Sequence, residues 1–297
     1  MGKLTDEQKI QIVNLYNEGN SSTKLGLKFG IAPTNILSLL RRREVSIRPK
    51  GLRKYYVNDE IFNRIDTEEK AYWLGFICAD GHVSDTSLVV EINGKDILHL
   101  EKMKKFLQSE HVIRNTRKNC VILSIGSGKL VQSLRKLGLQ GNKTKNLKTP
   151  KIDESLLRHF YRGAFDGDGW ITSRQSKNTK SEFCSSGLTT WEIGMSSGST
   201  EFIHEFHNWI CRQVGKKCGY LADRNKKNQQ VWQLTIGGNK LFSTIVDIFY
   251  KDVSVYLERK HERYKEAKNN IKTIIEGHRR FTRPLEKTSG INEWSRI

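Results

Sequence analysis

The sequence predicts an α+β protein: a small all-α unit over residues 1–48, then two pseudo-symmetric αββαββα repeats over 67–150 and 151–255. Three observations carry this reading. Residues 5–43 hold three short apolar helix patterns punctuated by glycine and proline. LSIGSGKL (Leu123 to Leu130) returns as LTIGGNKL (Leu234 to Leu241), each a short alternating strand, a glycine turn and a helix. Upstream of each copy, WLGFICADG (Trp73 to Gly81) is matched by YRGAFDGDG (Tyr161 to Gly169). Self-similarity at this separation marks a duplicated supersecondary unit.

The first helix is expected from Thr5 to Glu18, with Ile10, Val13 and Tyr16 near one face and Gly19 as its stop. Ser21 or Ser22 caps a second helix ending at Phe29-Gly30. Pro33 opens a third through Ile36, Leu37, Leu39 and Leu40 into Arg41, Arg42 and Arg43. A tight Gly30 turn between the last two is the mark of a helix-turn-helix. A basic linker, 49–66, leads into the repeats, and 256–297 reads as a charged helix and tail.

Composition limits the partners. Apolar residues make up 36% of the 297 positions and proline only 4, a globular rather than a disordered balance. Lys and Arg number 51 against 32 acids, a formal charge of +19. Such a surplus repels itself unless a polyanion neutralises it, so nucleic acid leads the candidates. The five cysteines are odd in number and form no CxxC, which points to reduced thiols. His204, His207, Cys211 and Cys218 could be drawn as a zinc site. The helical spacing of Phe202, Phe206, Trp209 and Ile210 argues against it. No apolar run has membrane-spanning length and no signal pattern opens the chain, so a cytoplasmic setting in a bacterial or phage-infected cell is expected.

The paired nonapeptides carry the chemistry. Each ends an apolar helix, the first opened by an expected capping box of Asp66 with Glu69. Small residues four apart, Gly75/Ala79 and Gly163/Gly167, allow two helices to approach closer than the usual spacing of about 8–10 Å. Packed in parallel, they bring Asp80 beside Asp168. Each carboxylate would then sit at the negative end of a helix dipole, unfavourable by roughly 0.3–1 kcal/mol. At about 5 Å and an effective dielectric near 20 the pair repel by roughly 3 kcal/mol. A divalent cation between them reverses both effects, and hard oxygen donors favour Mg²⁺, with Mn²⁺ as a substitute.

The two nonapeptides resemble the LAGLIDADG motif position by position: Gly75 with Gly163, Ala79 with Gly167, Asp80 with Asp168, Gly81 with Gly169. The resemblance covers about residues 67–255, and residues 5–43 resemble the small helix-turn-helix units of resolvases and transposases. LAGLIDADG proteins of this two-motif type are homing endonucleases. The resemblance therefore implies a monomer whose two four-stranded sheets form a saddle over the DNA major groove. It implies a Mg²⁺-dependent, staggered double-strand cut at a long asymmetric site. Asp80 and Asp168 would be catalytic metal ligands, helped by the carbonyls of Ala79 and Gly167. Lys95, in VVEINGKD, would be the basic catalytic residue at the end of a second strand, with no lysine in the matching WEIGMSSGST. Cys78 replaces an acid often found there, whereas Asp166 retains it.

Strand alternation assigns DNA-facing candidates. Leu88, Val90 and Ile92 take one face and leave Ser87, Val89, Glu91 and Asn93 on the other. Arg114, Arg117 and Lys118, with Arg224, Lys226 and Lys227, fall on or near the third strands, where arginine suits guanine and lysine suits phosphate. Lys143 and Lys145 in the connector, and Thr34, Asn35, Arg41, Arg42 and Arg43 in the N-terminal unit, complete the set. Two rivals share the fold, an intron maturase acting on RNA and a catalytically weak DNA-binding regulator. The helix-turn-helix opposes the first, because a helix does not fit the A-form groove. Retention of both aspartates opposes the second.

Overall fold

The computed structural model describes residues 4–47, 55–116, 119–139, 143–175, 189–225 and 230–281, in two compact units, 1–56 and 57–297. The first unit is three helices: α1 (Asp6–Asn17), α2 (Ser22–Phe29) and α3 (Pro33–Arg42). Thr5 and Gln8 close a capping box on α1, Ser21 caps α2, and Gly30 ends α2 in the left-handed conformation at φ 67°. Ile12, Tyr16, Leu25, Ile36 and Leu40 form its buried core. Ile10, expected on the inner face, is 53% exposed, because the stripe that meets α2 and α3 runs through Ile12 and Tyr16 instead. Thr34, Asn35, Arg41, Arg42 and Arg43 are exposed on or just past α3.

The second unit is built twice from one plan. Its first half is α4 (Glu68–Asp80), β1 (Gly81–Val83), β2 (Ser87–Asn93), α5 (Ile97–Phe106), β3 (Arg114–Asn115), β4 (Cys120–Gly126) and α6 (Gly128–Lys136). A short connector helix, α7 (Lys143–Asn146), follows. The second half is α8 (Glu154–Asp168), β5 (Gly169–Gln175), β6 (Thr189–Ser197), α9 (Thr200–Val214), β7 (Tyr220–Asp223), β8 (Trp232–Gly237) and α10 (Asn239–Tyr250). The final helix is α11 (Glu258–Phe281). Each half makes an antiparallel four-stranded sheet, ordered β1-β2-β4-β3 and β5-β6-β8-β7. The predicted αββαββα repeat is thus present twice. The Asp66 cap is not: Thr67 caps α4 by accepting from the Lys70 amide, while Asp66 pairs with the Lys70 ammonium at 2.8 Å.

The two halves meet backbone to backbone along α4 and α8. A Cβ added at Gly75 would fall well inside 3.0 Å of the Phe160 carbonyl oxygen, and one at Gly163 equally close to the Tyr72 carbonyl oxygen. The contacts are reciprocal and rise in step along both helices, so the helices run parallel. Around them, Tyr72, Trp73, Phe76, Phe160, Tyr161 and Phe165 are buried and fill the space under both sheets. One substitution tests this approach. Gly163→Ala should cost about 3 kcal/mol or more, since rigid backbone rather than a movable side chain receives the methyl group. Gly126→Ala, where an added Cβ meets nothing within 4 Å, should stay within about 0.5 kcal/mol in the same denaturant titration. Equal tolerance of both would mean that the helices are not in backbone contact.

Candidate active site

Helices α4 and α8 both terminate at their motif aspartate, and a strand begins on the next residue in each half. The parallel contact carries the two C-terminal ends to one place. At Gly167 an added Cβ would collide with the Ala79 methyl and lie 3.1 Å from a carboxylate oxygen of Asp80. Asp80 therefore sits directly across the interface from the residue preceding Asp168. Asp80 is half-buried and Asp168 exposed. A cavity of about 320 Å³, lined in part by Ala79, Asp168 and Ser196 to Gly198, opens beside them.

These donors suit one kind of metal. Two carboxylates with room for water match Mg²⁺, which takes one or two acids and keeps much of its hydration. Among the described residues, no group of three or more His, Cys, Asp or Glu could hold a metal ion. The alternative zinc set is otherwise engaged: His207 Nε2 lies 2.6 Å from the Cys218 carbonyl oxygen, and the His204 ring packs on Trp232.

Among the described residues, a buried lysine that the repeats do not single out, Lys260, stands beside the aspartates. Lys95 is exposed in a one-turn helix, Gly94–Asp96, its amide donating to Asn93 Oδ1 at 3.0 Å. In the register, Gly81 pairs with Val90, and β2 runs on to Asn93 before that turn. Lys260, by contrast, is buried, and its ammonium donates to the carbonyl oxygens of Phe165 at 2.5 Å and Asp166 at 2.7 Å. It thereby caps the C-terminal end of α8, where a cation is favoured. Burial pulls its pKa down to about 8, while Asp166, Asp80 and Asp168 act in the opposite sense. In the sequence Lys260 is one of several basic positions on a charged helix. Its apolar neighbours at helical spacing, Leu257, Tyr264 and Ala267, are the signal that sets it apart. Other basic side chains described on α11 are engaged too: Arg259 pairs with Asp96 at 2.9 Å and Lys268 with Asp247 at 2.6 Å.

Asp166 organises the ground beneath. It is wholly buried and accepts from the hydroxyls of Tyr72 at 2.7 Å and Tyr250 at 2.5 Å, and from the Leu257 amide at 2.8 Å. The Tyr72 oxygen in turn lies 3.0 Å from His99 Nε2.

The outward sheet faces carry several expected candidates. Glu91 and Asn93 are exposed on β2, and Thr116 donates to Glu91 at 3.2 Å. Arg114 is exposed on β3, and Arg224, just past β7, donates to Gln233 Oε1 at 3.1 Å. Lys143 lies in α7. Arg117, Lys118, Lys226 and Lys227 fall outside the described residues. Three further residues share these faces: His82, Arg174 and Trp170, whose ring covers Gly194. Parity could have found them, since His82 and Trp170 stand two residues past their aspartates on strands that start immediately.

No family model matches the chain. The replication factor C small subunit of Methanocaldococcus jannaschii is 28% identical over 166 residues, half of this chain; the match spans only 9% of that protein. Among solved structures, the I-LtrWI LAGLIDADG homing endonuclease bound to target DNA superposes with a TM-score of 0.51 at 13% identity, over 75% of this chain and 96% of that one. The LAGLIDADG meganuclease I-AabMI bound to uncleaved DNA gives 0.50 at 14% identity, over 71% and 92%. The chain has the LAGLIDADG endonuclease fold.

The buried network has a pH signature. Burial lowers the His99 pKa from 6.5 to about 4, outweighing the Glu258 carboxylate 3.9 Å away, which pulls upward. The unfolded chain protonates this histidine near its ordinary value while the folded chain does not. Stability is therefore lost as pH falls from 6.5 through about 4. Denaturation midpoints should fall between pH 6.5 and 5, and His99→Gln should flatten that slope. A slope unchanged by the substitution would contradict a neutral, buried His99.

Proposed function

We propose that the chain is a site-specific DNA endonuclease that makes a Mg²⁺-dependent, staggered double-strand cut at a long asymmetric site. The observation that carries this is the carboxylate pair at the ends of two helices in backbone contact, flanked by two four-stranded sheets. Bringing two like charges together serves no packing purpose, and a hard divalent cation is the natural counter-charge. Asp80 and Asp168 would hold Mg²⁺, with the carbonyls of Ala79 and Gly167 as further oxygen donors. When bound there, the ion supplies an activated water and charge stabilisation for the departing oxygen.

The rest of the work falls to the chain. The Lys260 ammonium holds a positive charge against the end of α8, easing the accumulation of carboxylates and phosphates in one place. Glu91, Asn93, Arg114 and Arg224, with His82, Trp170 and Arg174, face the groove. Arg117, Lys118, Lys143 and Lys226 are phosphate-contact candidates by their charge alone. Both acids come from one chain, so a monomer suffices, and the two sheet faces differ residue by residue, which suits an asymmetric target. Thr34, Asn35, Arg41, Arg42 and Arg43 extend the contact through a helix-turn-helix. A maturase or a regulator would not need both acids at this junction.

Cleavage of a random DNA library, followed by sequencing of the cut ends, tests the reading. The wild type should cut both strands at one long site in Mg²⁺. Asp80→Asn and Asp168→Asn should each abolish double-strand cleavage while keeping binding to the selected duplex in Ca²⁺. Wild-type cutting by either variant would remove the assignment. For the N-terminal unit, Arg41→Gln with Arg42→Gln should lower the slope of log affinity against log salt by about 0.9 for each phosphate no longer neutralised. An unaltered slope would mean that α3 does not touch this DNA.

A further inference from the structure

We propose that Asp166, with Tyr72 and Tyr250, is a clamp that seats Lys260 at the second-repeat half of the site, and that it acts on the strand cut there. The strand-selectivity part of this inference rests on the endonuclease reading; the seating part does not.

The geometry is that of a built positioning device. Lys260 lies ten residues beyond α10, on a segment outside both repeats, and something must fix that segment against α8. Asp166 does so with three donors from three places: Tyr72 on α4, Tyr250 at the end of α10, and the Leu257 amide one residue before α11. The same residue's carbonyl receives the Lys260 ammonium, so one amino acid anchors the segment with its side chain and the lysine with its backbone. Flanking contacts hold the segment from the other side: Glu258 pairs with Lys102, and Arg259 with Asp96. A buried carboxylate with its acceptors filled is costly to dismantle, because removing it strands two hydroxyls and an amide.

The carboxylate at its centre has no counterpart in the first repeat's sequence. The residue two before the first motif aspartate is Cys78, buried, with a thiol that cannot accept three such hydrogen bonds. The pseudo-symmetry of the backbone is therefore broken in side-chain chemistry two residues from the reacting acids. Asp166 is a positioning residue in this account, since it acts through Lys260 and not on DNA.

Two measurements on the full chain test it. The first needs no DNA: reductive methylation with formaldehyde and borohydride, read by mass spectrometry. Lys260 should resist labelling in the wild type, with exposed Lys265 as the labelled reference. In Asp166→Asn, and more mildly in Tyr250→Phe, Lys260 labelling should rise severalfold while circular dichroism stays native. Continued protection of Lys260 in folded Asp166→Asn would overturn the clamp. Should Asp166→Asn not fold, Tyr250→Phe and Tyr72→Phe decide by the same criterion. The second uses a supercoiled plasmid bearing the selected site. Lys260→Met should slow one strand by about 10²-fold and make nicked circles accumulate. Asp166→Asn should show the same strand bias, and adding it to Lys260→Met should slow that strand no further. Equal slowing of both strands by Asp166→Asn, or full additivity with Lys260→Met, would make Asp166 a stability residue and sink the clamp. A wild type that cuts nothing would overturn the endonuclease reading instead and leave the labelling result to judge the seating.

Discussion

Backbone contact between α4 and α8 is the constraint from which the rest of the second unit follows. Gly75 against Phe160 and Gly163 against Tyr72 leave no room for a side chain. The interface must therefore be made of small residues, and the aromatic mass is displaced to its sides. Tyr72, Trp73, Phe76, Phe160, Tyr161 and Phe165 fill those flanks and support the two sheets. Parallel packing then leaves no freedom in where the helices end. Both terminate together, and whatever residue stands last in each helix is forced to face its counterpart.

That forced meeting explains the asymmetry around it. Two carboxylates at two helix C-termini form an electrostatically poor assembly in the absence of a cation. The fold answers at the end of α8 with a buried ammonium, Lys260, held over Asp166, whose counterpart in the first repeat is Cys78. The segment carrying Lys260 is tied down by side chains from both repeats, Tyr72 from the first and Tyr250 from the second. Duplication thus supplied a symmetric frame, and later side-chain differences made its two halves distinct. The long basic helix α11, with the charge pattern of a solvated surface, is part of that frame through Lys260, Tyr264 and Lys268.

The architecture was legible because it was written twice. Each repeat alone offered a short apolar helix, a turn and an alternating strand, patterns that recur widely; the matched order made them specific. Glycine spacing in the motif helices exposed their close approach directly, since only small residues permit it. The site's lysine was less visible, for a physical reason. Lys260 acts from a segment beyond the repeats, so no internal comparison could align it, and its burial depends on long-range contacts with Phe165 and Asp166. Lys95 has the local setting that the resemblance asks for, at the end of a strand, and it is exposed there. The capping box at Asp66 failed because Asp66 paired with Lys70, leaving Thr67 to accept the orphan amide.

If the helix contact holds Asp80 and Asp168 close enough to act as one site, their charges must be coupled. Unfolding free energies of Asp80→Asn, Asp168→Asn and the double variant, measured at low salt in EDTA, address this without any knowledge of the DNA target. Close carboxylates repel, so either single substitution should stabilise the protein and the second should then add little. The coupling should be on the order of 1 kcal/mol after solvent screening of the exposed Asp168. Saturating Mg²⁺ should reduce the coupling in the wild-type background. Strictly additive effects, unchanged by Mg²⁺, would show that the two aspartates stand apart and would contradict a shared metal site.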